Sequence, residues 1–416
     1  MTEQPGEMED VESFRLRARK WLKDNMPRVP ERQGPPASGD DDEEWLRARE
    51  LQKMLYAGGF AGICFPKEYG GLGLTPAHQR AFTEESQGYE MPLLLNIPTF
   101  SICAATILDM GSEKQKRERI SAAIRGDEVL VQFLSEPRGG SDLAGVTTRA
   151  TRDGDVWVLN GAKTWSTSAY AADYALCLPR TDWEAPKHRG LTMFLVKVHQ
   201  PGITLRRIKM VNGSTEFCEE FFDDVILPAD SVVGEVNGGW AVASRQLVHE
   251  RTAVGGGSPY VSGTGRSNLH APTYDFVDLA RRTGQADDVR VRELIGEART
   301  MHRVQEQLID RVMAGMGSGQ LPTPAASIIR LFHAEADWKN ADIGVQIAGS
   351  ALAAGTFGEN GPLDYGHYYL SRQGSSLGGG STEMSRNIIS ERILDMPREY
   401  AADRDLPFNQ VAQGRT

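Results

Sequence analysis

The sequence predicts a mainly α-helical protein with a small antiparallel β module in the middle of the chain. Apolar residues at helical spacing fill the first part of the chain and its last part, whereas short runs rich in Val and Thr lie between them. The chain has 416 residues, more than the roughly 250–300 at which a single core stops growing. We therefore expect an N-terminal helical domain over residues 1–126, a β domain over 127–236, a helical bundle over 237–397 and a tail over 398–416.

Composition excludes several classes of protein. A net charge of −10 without a dense Lys/Arg stripe disfavours nucleic acid as a partner. The acidic start lacks the basic and apolar regions of a secretory signal, and we expect no apolar run long enough to span a bilayer. The four cysteines are scattered, without the paired spacing typical of metal or redox sites. We expect reduced thiols, no bound metal and a cytoplasmic location.

The N-terminal domain is predicted from five stretches in which apolar residues recur at helical spacing. Pro27 ends the first stretch, and a connector rich in Pro and Asp separates it from the second. The predicted helices are Glu9–Asn25, Trp45–Tyr56, Pro76–Gln87, Phe100–Leu108 and Glu113–Ile124.

The β domain begins where the period changes after Gly126. The dipeptides Asp153-Gly154 and Asn160-Gly161 lie between short Val-rich runs, and both are preferred residues of tight hairpin turns. We expect an antiparallel module that ends near Val233. The predicted strands are Val129–Leu134, Gly145–Arg152, Val156–Leu159, Tyr174–Leu178, Leu191–Val196, Ile203–Ile208 and Phe217–Phe222.

The last part of the chain is predicted to be a helical bundle. Its helices are expected at Trp240–Val254, Val289–Met313, Pro324–Gln346 and Glu383–Leu394. The segment Gly255–Asp278 is too long for an ordinary connector, so we expect it to line a pocket or an interface. The polar tail after Pro397 is expected to be loosely held.

Three segments carry chemistry. Gln132–Thr148 reads QFLSEPRGGSDLAGVTT, in which glycines allow close approach of a ligand and hydroxyls can hydrogen-bond it. Asn160–Thr167 reads NGAKTWST and offers a broad indole face beside a hydroxyl. The third, LGGGSTEMSRNIISERILDMPRE, starts at Leu377. Alone, the first would be read as a glycine-rich turn, and Trp165 as a core residue of the β module.

Together these segments resemble the signature segments of the acyl-CoA dehydrogenase family, in the family's order, over nearly the whole chain. The resemblance implies an FAD-dependent enzyme of lipid metabolism that desaturates an acyl-CoA thioester between its α and β carbons. It implies electron-transfer flavoprotein as the electron acceptor and a homotetramer or mixed tetramer. The FAD contacts that it implies are Gln132, Leu134, Ser135, Gly140, Ser141, Trp165, Thr167, Gln346, Gly349, Ser381 and Glu383; Ser141 and Arg251 are the implied substrate contacts.

The catalytic base is where this sequence departs from the best-known family pattern. Gly379 stands where many members carry the catalytic glutamate. A second arrangement, found in members similar to isovaleryl-CoA dehydrogenase and in bacterial branched- or steroid-acyl-CoA dehydrogenases, places the glutamate on the first helix of the bundle, and LVHER over 247–251 supplies Glu250 there. Glu250 is thus the expected base, against the alternative of a surface helix carboxylate. Gly379 is expected to contribute a backbone N–H to the oxyanion hole.

Other departures leave alternatives open. The stretch ARRTGQADD lacks the aromatic residue of the family's FAD-binding segment, so Arg281 or Arg282 would have to substitute, and Ser350 replaces a glycine after QIAG. An acyl-CoA oxidase would share the motifs. A catalytically incomplete or FAD-carrying subunit of a mixed tetramer is a second alternative, and a ligand-free scaffold a third. The glycines 255–257 either leave room for a bulky acyl chain or end a helix.

Overall fold

The fold class predicted from the sequence is confirmed. In a computed structural model, residues 8–29, 42–254, 257–263, 275–350 and 363–411 are described. Helices come first, two small sheets follow, and helices close the chain.

The N-terminal domain packs its helices around one apolar core. Helix α1 begins after Asp10, whose carboxylate accepts hydrogen bonds from the N–H groups of Glu12 and Ser13 at 3.1 and 3.0 Å. Its buried face repeats every four residues through Phe14, Ala18 and Leu22. The helices are α1 (Val11–Asn25), α2 (Asp42–Ala57), α3 (Pro76–Glu85), α4 (Ala105–Met110), α5 (Glu113–Gln115) and α6 (Ser121–Arg125), with π-helical turns at Asn96–Ala104 and Lys116–Ile120.

One segment of this domain, Leu93–Met110, is long and apolar enough to cross a bilayer by length and composition. In the fold, 67% of it is buried inside the protein. It packs against the first strand and against the helix that follows the β domain. The segment, which joins a 3-10 turn, a π-helical turn and α4, is therefore part of the protein core and is called the core helix below; its apolar character is accounted for by these contacts.

The β domain consists of two four-stranded sheets with the strand orders β1-β4-β5-β8 and β2-β3-β7-β6. Among the described strands the pairings are antiparallel except β1–β4, which is parallel. The parallel pair was not expected. It arises because the chain leaves β1, forms β2 and β3 in the other sheet, and then returns to pair as β4. The strands are β1 (Leu130–Phe133), β2 (Arg149–Asp153), β3 (Val156–Thr167), β4 (Tyr174–Cys177), β5 (Met193–Lys197), β6 (Ile203–Arg207), β7 (Phe217–Pro228) and β8 (Val232–Val233).

One of the two predicted hairpin turns is confirmed and the other is wrong. A hairpin joins β2 to β3 at this position, but Asp153 pairs with Val156 as the last residue of β2, so the two turn residues are Gly154, at φ +57°, and Asp155. Asn160 and Gly161 instead lie inside β3, where the register shifts at a bulge. The Asn160 amide exchanges two hydrogen bonds of 2.9 Å with Asp224 on β7, so the strand continues.

The C-terminal part surrounds one long central helix, α10, which packs against α9, α11 and α12. The first helix, α7, contacts both α10 and the core helix of the N-terminal domain. Two helices, α8 and α11, were not expected from the sequence. The helices are α7 (Gly239–Val254), α8 (Phe276–Arg282), α9 (Val289–Gly317), α10 (Ala326–Ala348), α11 (Leu363–Ser371) and α12 (Thr382–Arg392).

Part of the segment Gly255–Asp278 returns to the N-terminal domain. Ser101 Oγ donates to the carbonyl of Tyr260 at 2.8 Å, and the N–H of Ser262 donates to Asn96 Oδ1 at 2.6 Å. The ring of Tyr260 lies 4.5 Å from that of Phe65. This part thus fixes the end of α7 against the core helix, and positions 255–256 and 264–274 lie outside the described residues.

The C-terminal tail is docked through residues 408–409, within its described part 398–411, contrary to the expectation of a loosely held segment. Phe408 is buried, and the guanidinium carbon of Arg180 lies 3.5 Å from its ring centroid. The N–H of Phe408 donates to the carbonyl of Ala185 at 3.0 Å, and that of Asn409 donates to the carbonyl of Trp183 at 2.9 Å. A single buried aromatic residue within a polar stretch is too weak a periodic signal to predict this contact.

Candidate active site

A carboxylate on α7 faces the β domain at the junction of all three parts of the chain. Glu250 lies in the last turns of α7, and its Oε2 accepts a hydrogen bond of 3.2 Å from Nε2 of Gln132 on β1. Gln246, one turn earlier, donates its own Nε2–H to Oε1 of Gln132 at 3.0 Å. Two residues predicted separately from the sequence, Gln132 and Glu250, are therefore in direct contact.

The environment of Glu250 favours its protonated form. Burial raises the pKa of the Glu250 carboxyl above its ordinary value, while the hydrogen bond from Gln132 and the cations Arg251 and Arg330 act in the opposite direction. Burial likewise lowers the pKa of Arg251 and of Arg330. A half-buried carboxyl with a raised pKa at the meeting point of three domains is typical of a general base.

Gly379 stands opposite this carboxylate. Its φ is +74°, and a Cβ built on it would lie 3.6 Å from Glu250 Oε1 and 3.3 Å from Nε of Arg330. The glycine loop that contains it is held by Arg330, whose guanidinium donates to the carbonyl of Ser375 at 2.6 Å and to that of Gly378. Gly379 and Glu250, the two alternative positions predicted for the base, therefore lie close together.

Arg330 was missed by the sequence reasoning. It is 4% exposed on α10, and its Nε is buried without a hydrogen-bond partner. Burying an arginine costs free energy unless its N–H groups are hydrogen-bonded. The hydrogen bonds of Arg330 to the glycine loop therefore indicate that it positions this loop. An Arg in a helical pattern gives no such signal in the sequence, because its partners are carbonyls of a segment distant in the chain.

The loop after β1 is fixed by a buried ion pair. Lys163 Nζ lies 3.0 Å from Glu136 Oε1 and also donates to the carbonyls of Leu134 and Leu178 at 2.9 and 2.8 Å. Although burial opposes it, Lys163 together with the N–H groups and the hydroxyl of the loop lowers the pKa of Glu136. Glu136 belongs to the first predicted motif and Lys163 to the second, so their ion pair holds the two motifs together.

This lock places the predicted cofactor contacts of the loop. The N–H of Thr164 donates to the carbonyl of Ser135 at 3.0 Å. A Cβ on Gly140 would lie 3.1 Å from Ser135 Oγ, and Gly140 and Ser141 are exposed. Leu134 is buried beneath them. The loop therefore presents backbone and hydroxyl groups outward, as a ligand-binding loop requires.

Trp165 projects from a bulge in β3. Its φ is +64°, the β3–β7 register shifts between Thr164 and Ser166, and its side chain is 53% exposed. Its indole stands edge-on to Phe217, with ring centroids 5.8 Å apart. A positive φ is rare at a bulky residue, and such strained positions cluster at functional sites. Such an exposed indole fits the face of a planar aromatic ring, and Thr167 follows at the end of the strand.

The remaining predicted contacts lie elsewhere on the chain. Gln346 and Gly349 are exposed at the end of α10, with Gly349 at φ +54°. Ser381 is the N-cap of α12, and its Oγ accepts from the N–H of Met384 at 3.2 Å. Glu383 lies exposed in the first turn of the same helix. We find no described contact that joins these residues to Glu250.

The other candidate arginines and His249 are also accounted for. Arg281 and Arg282 are exposed in the last turn of α8. His249 Nε2 lies 2.7 Å from Asp109 Oδ2, and burial lowers the pKa of this histidine. The neighbouring Arg245 also binds Asp109. This arrangement ties α7 to α4, so a structural role accounts for His249.

This fold and this site define a class of protein, and comparison with known proteins identifies it. The descriptions Acyl-CoA dehydrogenase N-terminal, middle and C-terminal domain match residues 8–127, 132–225 and 237–394. The chain belongs to the acyl-CoA dehydrogenase family. Its curated relatives are acyl-CoA dehydrogenases, and it is an oxidoreductase of that type.

Individual relatives align over almost the full length. The chain is 34% identical over 396 residues to acyl-CoA dehydrogenase IpdE1 of Mycobacterium tuberculosis, covering 94% of this chain and 99% of that protein. Among solved structures, the Tcur3481-Tcur3483 steroid ACAD matches with a TM-score of 0.73 and 28% identity, covering 95% and 99%. The ChsE4-ChsE5 complex from M. tuberculosis matches with a TM-score of 0.69 at 24% identity, covering 95% and 100%, which shows the fold alone.

Proposed function

We propose that the protein catalyses FAD-dependent α,β-dehydrogenation of an acyl-CoA thioester with Glu250 as the base. The observation that carries this proposal is the position of Glu250, which is hydrogen-bonded to Gln132 of the first motif and faces Gly379. A surface carboxylate would have neither neighbour. In its ionised form Glu250 removes the α proton of the thioester, and Oε1 or Oε2 then holds that proton.

The charges around Glu250 tune it for this step. A carboxylate with a raised pKa is a stronger base than one in water, but it must still be ionised when substrate arrives. Arg330 and Arg251 favour the ionised form, and Gln132 adds a donor. Burial raises the pKa of Glu250 and these three groups lower it, so the opposing effects bring the pKa of the base towards the working pH.

Gly379 supports the same step from the opposite side. The α proton becomes acidic only if the thioester oxygen is stabilised as negative charge develops on it. We assign this to the Gly379 N–H, in a loop held by Arg330 through the carbonyls of Ser375 and Gly378. The absence of a side chain at Gly379 leaves the room that the Glu250 carboxylate and the substrate need.

The residues of the β domain fit a flavin. The exposed Trp165 offers an apolar face, and Ser135, Gly140, Ser141 and Thr167 offer hydroxyls and close backbone approach. Bound FAD would accept the hydride from the β carbon. Gln132 and Leu134 border the same loop. Gln346, Gly349, Ser381 and Glu383 are proposed as the contacts to the rest of the cofactor; the exposure of Gln346 and Gly349 suits a site completed by another subunit.

The substrate is proposed to be a bulky acyl-CoA, bound with Ser141 and Arg251. A solved relative at 28% identity is described as a steroid ACAD. Its description names two polypeptides, which favours a mixed tetramer over a homotetramer. We propose electron-transfer flavoprotein as the acceptor and the cytoplasm as the location, in keeping with four cysteines that are all unpaired.

The decisive experiment is Glu250→Gln. The variant should purify yellow with FAD, because Gln keeps the size and hydrogen bonding of the side chain, yet flavin bleaching by acyl-CoA should slow by about 100- to 10,000-fold. Glu297→Gln on α9 is the matched control, because Glu297 forms an exposed ion pair with Lys339 at 3.1 Å. Wild-type bleaching by Glu250→Gln would refute the proposal. Rapid peroxide formation without an added acceptor would indicate an oxidase instead.

A further inference from the structure

We propose that Gln246 is a positioning residue, which fixes the orientation of the Gln132 amide so that an N–H rather than a carbonyl oxygen faces the base. The inference rests on the proposed role of Glu250 and extends it to a residue one turn earlier on the same helix. It assigns to α7 both the base and the group that orients the donor to that base.

The geometry is a chain of three side chains. Gln246 Nε2–H donates to Gln132 Oε1 at 3.0 Å, and Gln132 Nε2–H donates to Glu250 Oε2 at 3.2 Å. Gln132 stands on β1 between Val131 and Phe133, which are both fully buried. Its amide is therefore held at a fixed place, and rotation by half a turn about its last bond is the freedom that remains.

That rotation decides the chemistry. A side-chain amide has a donor end and an acceptor end of nearly equal shape. With the donor end towards Glu250, the amide stabilises the carboxylate; with the acceptor end, it repels it. The hydrogen bond from Gln246 Nε2–H to Gln132 Oε1 is made only in the first orientation, so it favours that orientation.

Packing alone does not explain a glutamine at this position. Gln246 is fully buried, and its own Oε1 has no hydrogen-bond partner. An orphaned buried carbonyl is unfavourable, and a Met of similar shape would fill the space without it. The hydrogen bond that Gln246 donates from Nε2 to Gln132 explains why an amide side chain stands at this position.

Other charged or titratable groups face Glu250 from three elements. Arg251 lies on α7, Arg330 on α10, and Cys103 on the π-helical turn of the core helix. Burial raises the pKa of Cys103, so this thiol is neutral. A substitution at Gln246 replaces none of these groups. A change in the pKa of Glu250 in such a variant can therefore be traced to the Gln132 amide.

The test is Gln246→Met, measured as the rate of flavin bleaching against pH in FAD-saturated protein. We expect the acid limb of the profile to move to higher pH by about one unit, a tenfold change in proton affinity. The rate at high pH and the KM should stay close to wild type. Gln246→Glu should move the limb further, because an ionised carboxylate at this position would accept from Gln132 Nε2 and reverse the amide.

A double-variant cycle separates positioning from a structural effect. If Gln246 acts through Gln132, then Gln132→Met and the double variant Gln132→Met/Gln246→Met should have the same acid limb. Additive shifts, or an unshifted profile for Gln246→Met, would overturn the inference. Failure of the proposed function is a different result, since it would appear as full activity in Glu250→Gln.

Discussion

A Cβ built on Gly379 would stand 3.6 Å from Oε1 of Glu250. Glu250 lies on α7 and Gly379 in the turn before α12, yet a side chain at 379 would enter the space beside the Glu250 carboxylate. A glutamate at 379 and one at 250 are thus alternative routes to one position of the base, and a side chain at both positions would crowd it. The glycine at 379 leaves open the space beside Glu250, the proposed base.

This relationship predicts that the base can be moved. Glu250→Ala should lose about 100- to 10,000-fold in flavin bleaching, and Glu250→Ala/Gly379→Glu should recover on the order of tenfold of that loss. Recovery should be partial because residue 379 has φ +74°, which costs a non-glycine residue about 1 kcal/mol, and because Arg330 Nε lies only 3.3 Å from the new Cβ.

The matched control for the transplanted base is Glu250→Ala/Gly379→Gln, which has the same strain and volume without a carboxylate. It should stay as slow as Glu250→Ala alone. Equal rates in the Glu and Gln versions would show that residue 379 cannot present a base, and would contradict the convergence of the two positions.

Arg330 is expected to set the pH at which the base becomes active. Its charge favours the ionised form of Glu250, whose pKa burial raises, so activity should rise as the pH passes upward through that pKa. Arg330→Met should move this rise to higher pH by about one unit. Arg330→Lys keeps the charge and serves as the control. Identical pH profiles for the Met and Lys variants would show that the charge of Arg330 does not act on the base.

The order of the three parts could be predicted from the sequence because it depends on local patterns, whereas Glu250 as the base is implied by the family resemblance and stays a prediction. Helical and strand periods change at clear points, and the LVHER stretch supplies Glu250. Trp165 was singled out as a ligand-facing residue, and its exposure and positive φ agree with that.

The rest could not be predicted because it depends on contacts between distant segments. Nothing local marks Arg330 as the residue that holds the glycine loop, or Gln246 as the partner of Gln132. The pair Asn160-Gly161 has the chemistry of a turn, but the reciprocal hydrogen bonds with Asp224 keep it in a strand. Local preference was overridden there by a cross-strand pair.

Glu220 makes the stability of the β domain depend on pH. It is fully buried on β7, accepts a hydrogen bond of 2.9 Å from Ser166 Oγ, and burial raises its pKa to about 8 from an ordinary value of 4.5. The facing Lys163 is already bound to Glu136. The folded protein therefore favours the protonated carboxyl, whereas the unfolded chain ionises it near pH 4.5.

The free energy of unfolding should consequently fall as the pH rises from about 4.5 to about 8. The expected fall is about 1.4 kcal/mol for each unit by which the pKa of Glu220 differs between the folded and the unfolded protein. Glu220→Gln mimics the protonated form and should flatten this decline in denaturant titrations. Glu235→Gln in the same domain is the control, because Glu235 is exposed and is not among the groups that shift the pKa of Glu220. An equal slope in wild type and Glu220→Gln would rule out a protonated Glu220.

The docked tail should contribute measurably to stability through one residue. Phe408 is 3% exposed and covers the buried guanidinium of Arg180, so Phe408→Ala loses both the apolar burial and the contact with the cation. Because the tail can detach rather than leave a cavity, the loss is limited to the transfer of the side chain, about 1.5–3 kcal/mol. Tyr400→Ala, in the same tail but at an 88% exposed residue, should leave the unfolding midpoint and the protease resistance of the tail unchanged. If Phe408→Ala behaved like Tyr400→Ala in both measurements, the tail would not be held by this contact.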